Sequence, residues 1–212
     1  NTSSAASDVY KRQTIPIAGA ECWVSRSGYT GDDGFEISIP SQAAEIVTTS
    51  LLEHETVELA GLGARDSLRL EAGLCLYGQD IDATTSPVAA GLKWAMHTSR
   101  LSGGYKEGKF PGAEKILSEI SDGTEYKLVG FVPLGKAPIR ANTELFVRSS
   151  SSDKIGWITS GSFSPTLKHP IALGYLKKEY SIQGNRVNAQ VRGKLLEIEV
   201  TKLPFVKKNF KK

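Results

Sequence analysis

Cysteine and histidine are scarce in this chain, and each scarcity excludes something. The two cysteines, Cys22 and Cys75, lie far apart and form no C-x-x-C pair. That rules out a disulfide scaffold or a zinc knuckle, and a reducing compartment fits the chain best. The three histidines, His54, His97 and His169, are remote from one another and from both cysteines, so no metal-ligand spacing exists and no metal site is expected. Lys plus Arg exceed Asp plus Glu by only 26 to 23, a net charge of +3, too small for a nucleic-acid polyanion to be the main ligand. No run approaches the ~20 apolar residues that span a bilayer, so no membrane segment is expected. There is no G-x-S-x-G elbow and no Walker loop, which removes the commonest hydrolase and nucleotide signatures.

What is present is ordinary globular composition. Of the 212 residues, 40% are hydrophobic, 23% charged and 8% aromatic, enough for one large domain or two small ones. Asn1 is not an initiator methionine, and neither a basic nor an apolar leader follows it, so the chain reads as beginning inside a longer protein. Residues 1–13, ending in SSAASDVYKRQ, resemble a translated sequencing-library adapter. They are set aside from the fold and expected to make no consistent contacts.

From Glu21 to Pro40 apolar and polar residues alternate on both sides of a glycine-rich connection, Gly28 to Gly34, which predicts a β-hairpin with a long loop. Alternation places Glu36 and Ser38 opposite Phe35, Ile37 and Ile39. Ser41 is a candidate helix cap, and Ala44, Val47 and Leu51 recur at helical spacing up to the charged stop at Glu53 to Glu55. Ala64, Leu68 and Ala72 repeat that spacing, with Arg65 and Arg69 one turn apart on another face of the same helix. A loop-rich stretch and a short helix, Ala113 to Ile120, follow. The domain boundary is placed near Asp122, giving a body over residues 14–122 and a β domain over 123–212. The β-rich runs of the latter, Lys127–Pro133, Glu144–Arg148, Ile155–Thr159, Ile171–Lys177, Arg186–Val191 and Leu195–Val200, predict an all-β sandwich or barrel.

Few residues here carry chemistry on composition alone. Gly61-Leu62-Gly63-Ala64-Arg65-Asp66 has the outline of a dinucleotide fingerprint, but Asp66 replaces the third glycine and no parallel unit surrounds it. Lys207, Lys208, Lys211 and Lys212 read as a solvated tail. Glu36, on the polar face of a strand after a glycine loop, is free, paired with a surface lysine, or aimed into a cleft. Arg65 and Arg69 read as helix-surface charges, with Asp66 and Glu71 near enough to neutralise them.

Six strings occur in order: Ser27–Pro40 (SGYTGDDGFEISIP), Gly61–Gly78 (GLGARDSLRLEAGLCLYG), Phe110–Ala113 (FPGA), Thr159–Pro165 (TSGSFSP), Ala172–Tyr175 (ALGY) and Lys202–Val206 (KLPFV). Together they resemble the aminomethyltransferases of the glycine cleavage system, the T-protein family, from about Cys22 to Phe210. The match extends over roughly the second half of that family. The resemblance implies an α+β fold: part of a folate-binding α+β body followed by a C-terminal β-barrel of jelly-roll type. It implies a reaction in which an aminomethyl group on the lipoyl arm of H-protein gives its one-carbon unit to tetrahydrofolate, with release of ammonia and formation of methylene-tetrahydrofolate. It implies H-protein and tetrahydrofolate as partners, neither nucleic acid nor membrane, and a mitochondrial matrix location, or cytoplasmic in a bacterium.

The family's folate-binding Glu falls on Glu36 and its binding Arg on Arg65. Its C-terminal Tyr corresponds to Phe210, which keeps the ring and loses the hydroxyl. The family's Asp at the reacting nitrogen belongs to the half that precedes this match, so no catalytic acid or base is assigned here, and the chain alone is expected to be inactive. The same body occurs as the folate-binding tail of dimethylglycine and sarcosine dehydrogenases, which a flavin fingerprint upstream would select, and in non-enzymatic folate-binding helpers.

Overall fold

A computed structural model of the protein describes residues 12–148 and 153–210. It divides into two compact units, residues 1–69 with 207–212, and residues 70–206.

The first unit is built on a three-stranded antiparallel sheet, β1 (Arg12–Ile17), β2 (Ala20–Ser25) and β3 (Glu36–Ser38), in the order β1-β2-β3. The hairpin expected from Glu21 to Pro40 is the β2–β3 pair, with Ser25 opposite Glu36 and Trp23 opposite Ser38. Strand alternation puts Cys22, Val24 and Ile37 on one face, and Trp23, Ser25, Glu36 and Ser38 on the other. The burial follows this division, with Cys22 buried and Trp23, Glu36 and Ser38 exposed. Strand β1 adds an edge that alternation in the hairpin did not announce. It includes Arg12 and Gln13, opposite Ser25 and Val24, so these last two residues of the set-aside segment are paired. Residues 1–11 lie outside the described residues.

Helix α1 (Ala44–Leu52) buries Val47 and ends at the charged run beginning with Glu53. Ser41 does not cap it. Residues Ser41–Ala43 form a 3₁₀ turn after Pro40, and the helix starts from Ala43 with no side-chain cap. The 3₁₀ turn moves the first α-helical residue three positions beyond the serine, out of reach of a capping bond.

Helix α2 (Leu62–Glu71) departs further from its expected face. Ala64 is exposed and Leu68 only half-buried, whereas Arg69, Leu70, Glu71 and Ala72 are buried. Arg69 is therefore not a surface charge. Its side chain is 1% exposed, and Nε and Nη2 each donate to Asp66 Oδ1 at 2.8 Å. A guanidinium is tolerated inside because its donors are satisfied, and Asp66 lies one helical turn back.

The second unit carries α3 (Ala113–Asp122) and the six strands β4 (Tyr126–Pro133), β5 (Glu144–Phe146), β6 (Lys154–Ser164), β7 (His169–Lys177), β8 (Arg186–Val191) and β9 (Lys194–Thr201). These close into an antiparallel barrel in the order β4-β7-β6-β5-β8-β9. The fold is therefore α+β followed by a β-barrel, and the six expected β-rich runs are its strands. Phe131, Ile139, Leu145, Ile158, Leu176, Val187, Ile198 and Val200 fill the interior.

Two buried carboxylates tie the segment after α2 to β6 and its flanking loop. Glu71, 4% exposed, accepts from Ser164 Oγ at 2.5 Å, Thr166 N at 3.1 Å and Thr166 Oγ at 2.8 Å. Asp80, 1% exposed, accepts from Leu76 N at 2.8 Å and from the Thr159 hydroxyl, while Tyr175 donates to its carbonyl oxygen at 2.8 Å. Thr159 is free to reach Asp80 because the β6–β7 register shifts between Ile158 and Ser160, a bulge that re-aims its side chain. Burial pushes the Tyr175 hydroxyl upward, and the neighbouring Cys75 and Asp80 add to it, so the phenol stays protonated and donates. Gly161, two residues on, has no room for a side chain, since a methyl there would overlap the carbonyl of Ile139.

Candidate functional site

The long connection between β2 and β3 runs from Arg26 to Phe35, and its conformation depends on polar closure more than on apolar packing. Arg26 grips Asp33 with two bonds, Nε to Oδ1 at 2.9 Å and Nη2 to Oδ2 at 2.7 Å. Asp33 accordingly raises the guanidinium above its ordinary pKa, through the hydrogen bonds first and charge second. Backbone bonds then bring in a distant segment: Asn209 N donates to Gly31 O at 2.9 Å, and Asp33 N donates to Asn209 O at 3.1 Å. Residue Asn209 is thus bridged parallel to Asp32. Asn209 is anchored here, whereas Lys207 and Lys208 before it are exposed, and Lys211 and Lys212 lie outside the described residues.

Glu36 opens β3 at the end of this loop, with its side chain exposed. Ser27 Oγ donates to Glu36 Oε2 at 2.5 Å, and Ser25 Oγ lies 2.8 Å from Ser27 Oγ. An ionised carboxylate offers about four lone-pair sites. One bond from Ser27 fixes the group and leaves Oε1 and part of Oε2 open to donors from outside. Arg65, in the first turn of α2, is exposed and sits over the Tyr29 ring with its Cζ 4.8 Å from the centroid. Stacking on a ring occupies the flat face of a guanidinium and leaves its N–H edge available. Phe210, next to the anchoring Asn209, is 53% exposed.

Glu36, Arg65 and Phe210 are therefore each linked to one loop, through Ser27, through Tyr29 and through Asn209 respectively. All belong to the first unit. Sequence reasoning overlooked those three linking residues. Ser27 was legible in principle, since it sits at the start of the glycine string and a two-strand register brings it back toward Glu36. Asn209 carries no local signal, because its partners lie at the other end of the chain. Among the described residues no three His, Cys, Asp or Glu side chains are grouped to hold a metal ion, and no helix is long and apolar enough to cross a membrane.

The sheet, helices and closed barrel define a protein of the GCVT type. The family model described as the GCVT N-terminal domain matches residues 1–100, and that of the glycine cleavage T-protein C-terminal barrel domain matches residues 127–207. The chain is 48% identical over 196 residues to the mitochondrial aminomethyltransferase of Solanum tuberosum, covering 92% of this chain and 47% of that protein. It is 42% identical over 208 residues to the mitochondrial aminomethyltransferase of Dictyostelium discoideum, covering 95% and 50%. The crystal structure of the glycine cleavage system aminomethyltransferase T from Bartonella henselae superposes with a TM-score of 0.84 at 40% identity, over 90% of this chain and 51% of that one. The chain belongs to the glycine cleavage T-protein family. It spans about half the length of the curated relatives it matches.

Proposed function

We propose that the chain supplies folate-binding residues and the C-terminal barrel of an aminomethyltransferase of the glycine cleavage system. In that reaction the aminomethyl group borne on the lipoyl sulfur of H-protein passes its carbon to tetrahydrofolate. The carbon becomes the methylene of methylene-tetrahydrofolate, the nitrogen leaves as ammonia, and the lipoyl arm is left as the dithiol. The names of the relatives support this activity and a mitochondrial location. Tetrahydrofolate is a substrate in this reading, and lipoylated H-protein the partner.

The observation that carries the folate assignment is the exposed Glu36 carboxylate, fixed by Ser27 at 2.5 Å with acceptor capacity to spare. A pterin presents an amino group and a ring N–H side by side, a donor pair that one carboxylate accepts in bidentate fashion. Arg65 offers a planar donor fork to a pterin carbonyl or a folate carboxylate, and the Phe210 ring offers an apolar surface to pack against. No residue of this chain is given the acid or base role, which the family resemblance places in the preceding half.

In a full-length protein carrying this sequence, Glu36→Gln is expected to weaken tetrahydrofolate binding by about 1.5–3 kcal/mol, roughly tenfold to a few hundredfold, by calorimetry. The melting temperature should hold, because the side chain is exposed. Unchanged affinity in a folded variant would remove Glu36 from the site.

A further inference from the structure

Three ion pairs neutralise charges on the barrel. Arg148 pairs with Glu197 at 2.7 Å, Lys154 with Glu144 at 2.7 Å and Arg186 with Glu199 at 3.1 Å. One cleft breaks this pattern. It has a volume of about 670 Å³, and Arg140, Arg192 and Lys194 line it with no carboxylate among the lining residues. Thr143 also lines it, its hydroxyl donating to the Arg140 carbonyl at 2.7 Å, and Arg140 Nη1 donates to the Gly161 carbonyl at 3.3 Å, leaving its other N–H groups for a ligand; Val191 and Leu196 add apolar surface.

The hairpin that presents two of these cations is itself unusual. Val191 pairs with Lys194, so β8 and β9 are joined by only Arg192 and Gly193. Both take left-handed backbone angles, φ 50° and 76°. Such a primed two-residue turn favours Asn-Gly, and a long side chain at the first position carries a conformational cost that Asn largely avoids. The chain places a guanidinium there, at the mouth of the cleft.

We propose that this cleft binds a small organic polyanion, a molecule carrying two or more phosphate or carboxylate groups on an apolar body. Three cations gathered without a counter-charge repel one another until an anion enters, and arginine forks match phosphate and carboxylate oxygens in pairs. The cleft has the size of ordinary small-molecule sites. Its Val191 and Leu196 surface suits the carbon body of an organic ligand and would be wasted on an inorganic ion. All of these residues lie in the barrel unit, so the inference does not depend on the folate reading.

The test is calorimetric titration of the 212-residue chain at low salt with ADP, with citrate and with inorganic phosphate. ADP represents the phosphate source and citrate the carboxylate source. At least one of the two is expected to bind with a Kd below about 1 mM and about tenfold or more tighter than phosphate, and to weaken as salt is added. Arg192→Asn should reduce that affinity about tenfold without lowering the melting temperature, because Asn suits the turn. Lys194→Gln, at an exposed strand end, should do the same through charge alone. Affinity no better than phosphate for both ligands, or affinity untouched by either substitution, overturns the proposal. Capture of an oligoglutamate peptide with neither small molecule bound overturns it in favour of an acidic protein surface.

Discussion

Glu71 accepts a hydrogen bond from the Ser164 hydroxyl at 2.5 Å while only 4% exposed, and this one carboxylate joins two of the sequence strings that carry the family resemblance. The first, Gly61–Gly78, contributes the acceptor. The second, Thr159–Pro165, contributes Ser164, with Thr166 just beyond it supplying two further donors. The role is architectural, because every donor that reaches Glu71 comes from the loop it holds.

Glu71→Ala is accordingly expected to lower unfolding stability by about 1–3 kcal/mol, since the buried Ser164 hydroxyl and the two donors of the more exposed Thr166 lose their acceptor together. Glu71→Gln keeps one acceptor oxygen and should cost less. Urea unfolding of the three proteins measures both differences. A midpoint for the alanine variant equal to that of the parent would mean that the network contributes nothing.

Asp82 offers a pH test. Its carboxylate Oδ1 accepts from Thr84 Oγ1 at 2.7 Å, Thr84 N at 2.8 Å and Thr85 Oγ1 at 2.9 Å. These bonds, that of the Thr84 hydroxyl foremost, hold it below the ordinary carboxylate range. A carboxyl depressed by folding is protonated more readily in the unfolded chain. Its stabilising effect is therefore present in full above the unfolded pKa of about 4, and is lost as pH falls through the lower folded value. Stability of the parent minus that of Asp82→Asn should be positive at neutral pH and shrink in acid. A difference that stays level from pH 7 down to pH 3 contradicts this account.

Phe210 stands beside the anchoring Asn209, where the family resemblance implies a tyrosine. Phe210→Tyr should tighten tetrahydrofolate binding by about 0.5–1.5 kcal/mol if the restored hydroxyl finds a partner. Binding measured side by side with the parent decides it, and equal affinity would take the ring out of the folate site.

The chain alone is expected to turn over poorly. Supplied with aminomethyl-loaded H-protein and tetrahydrofolate, it should form methylene-tetrahydrofolate at least about tenfold more slowly than a full-length relative. Positioning and charge stabilisation in an enclosed site supply most of such a rate. A rate within that tenfold, about 1.4 kcal/mol of barrier at most, would overturn the placing of the acid in the preceding half and direct the search for it to Asp32, Asp33, Glu36 and Asp66.

How much of this was legible beforehand follows from what periodicity can report. Period-two alternation gave the side on which Glu36 stands, and β-rich runs set off by turn residues marked the six barrel strands. Neither can name a partner. The bulge that aims Thr159 at Asp80 and the pairing of Asn209 with the glycine loop depend on segments that meet only in space. Arg69 shows the same limit. A charge reads as surface until a neighbour supplies its hydrogen bonds, and spacing suggested Asp66 as that neighbour without revealing that the arginine would be buried beside it.

The bridge between Asp32 and Asn209 also sets an order of assembly. During synthesis the glycine loop emerges before the barrel, but the strand-like partner that closes it follows every strand of the barrel. The loop leading to Glu36 can thus reach its final form only once the chain has been made through Asn209, and a premature stop or frameshift just beyond the barrel would leave the barrel's own sequence whole while leaving that loop open.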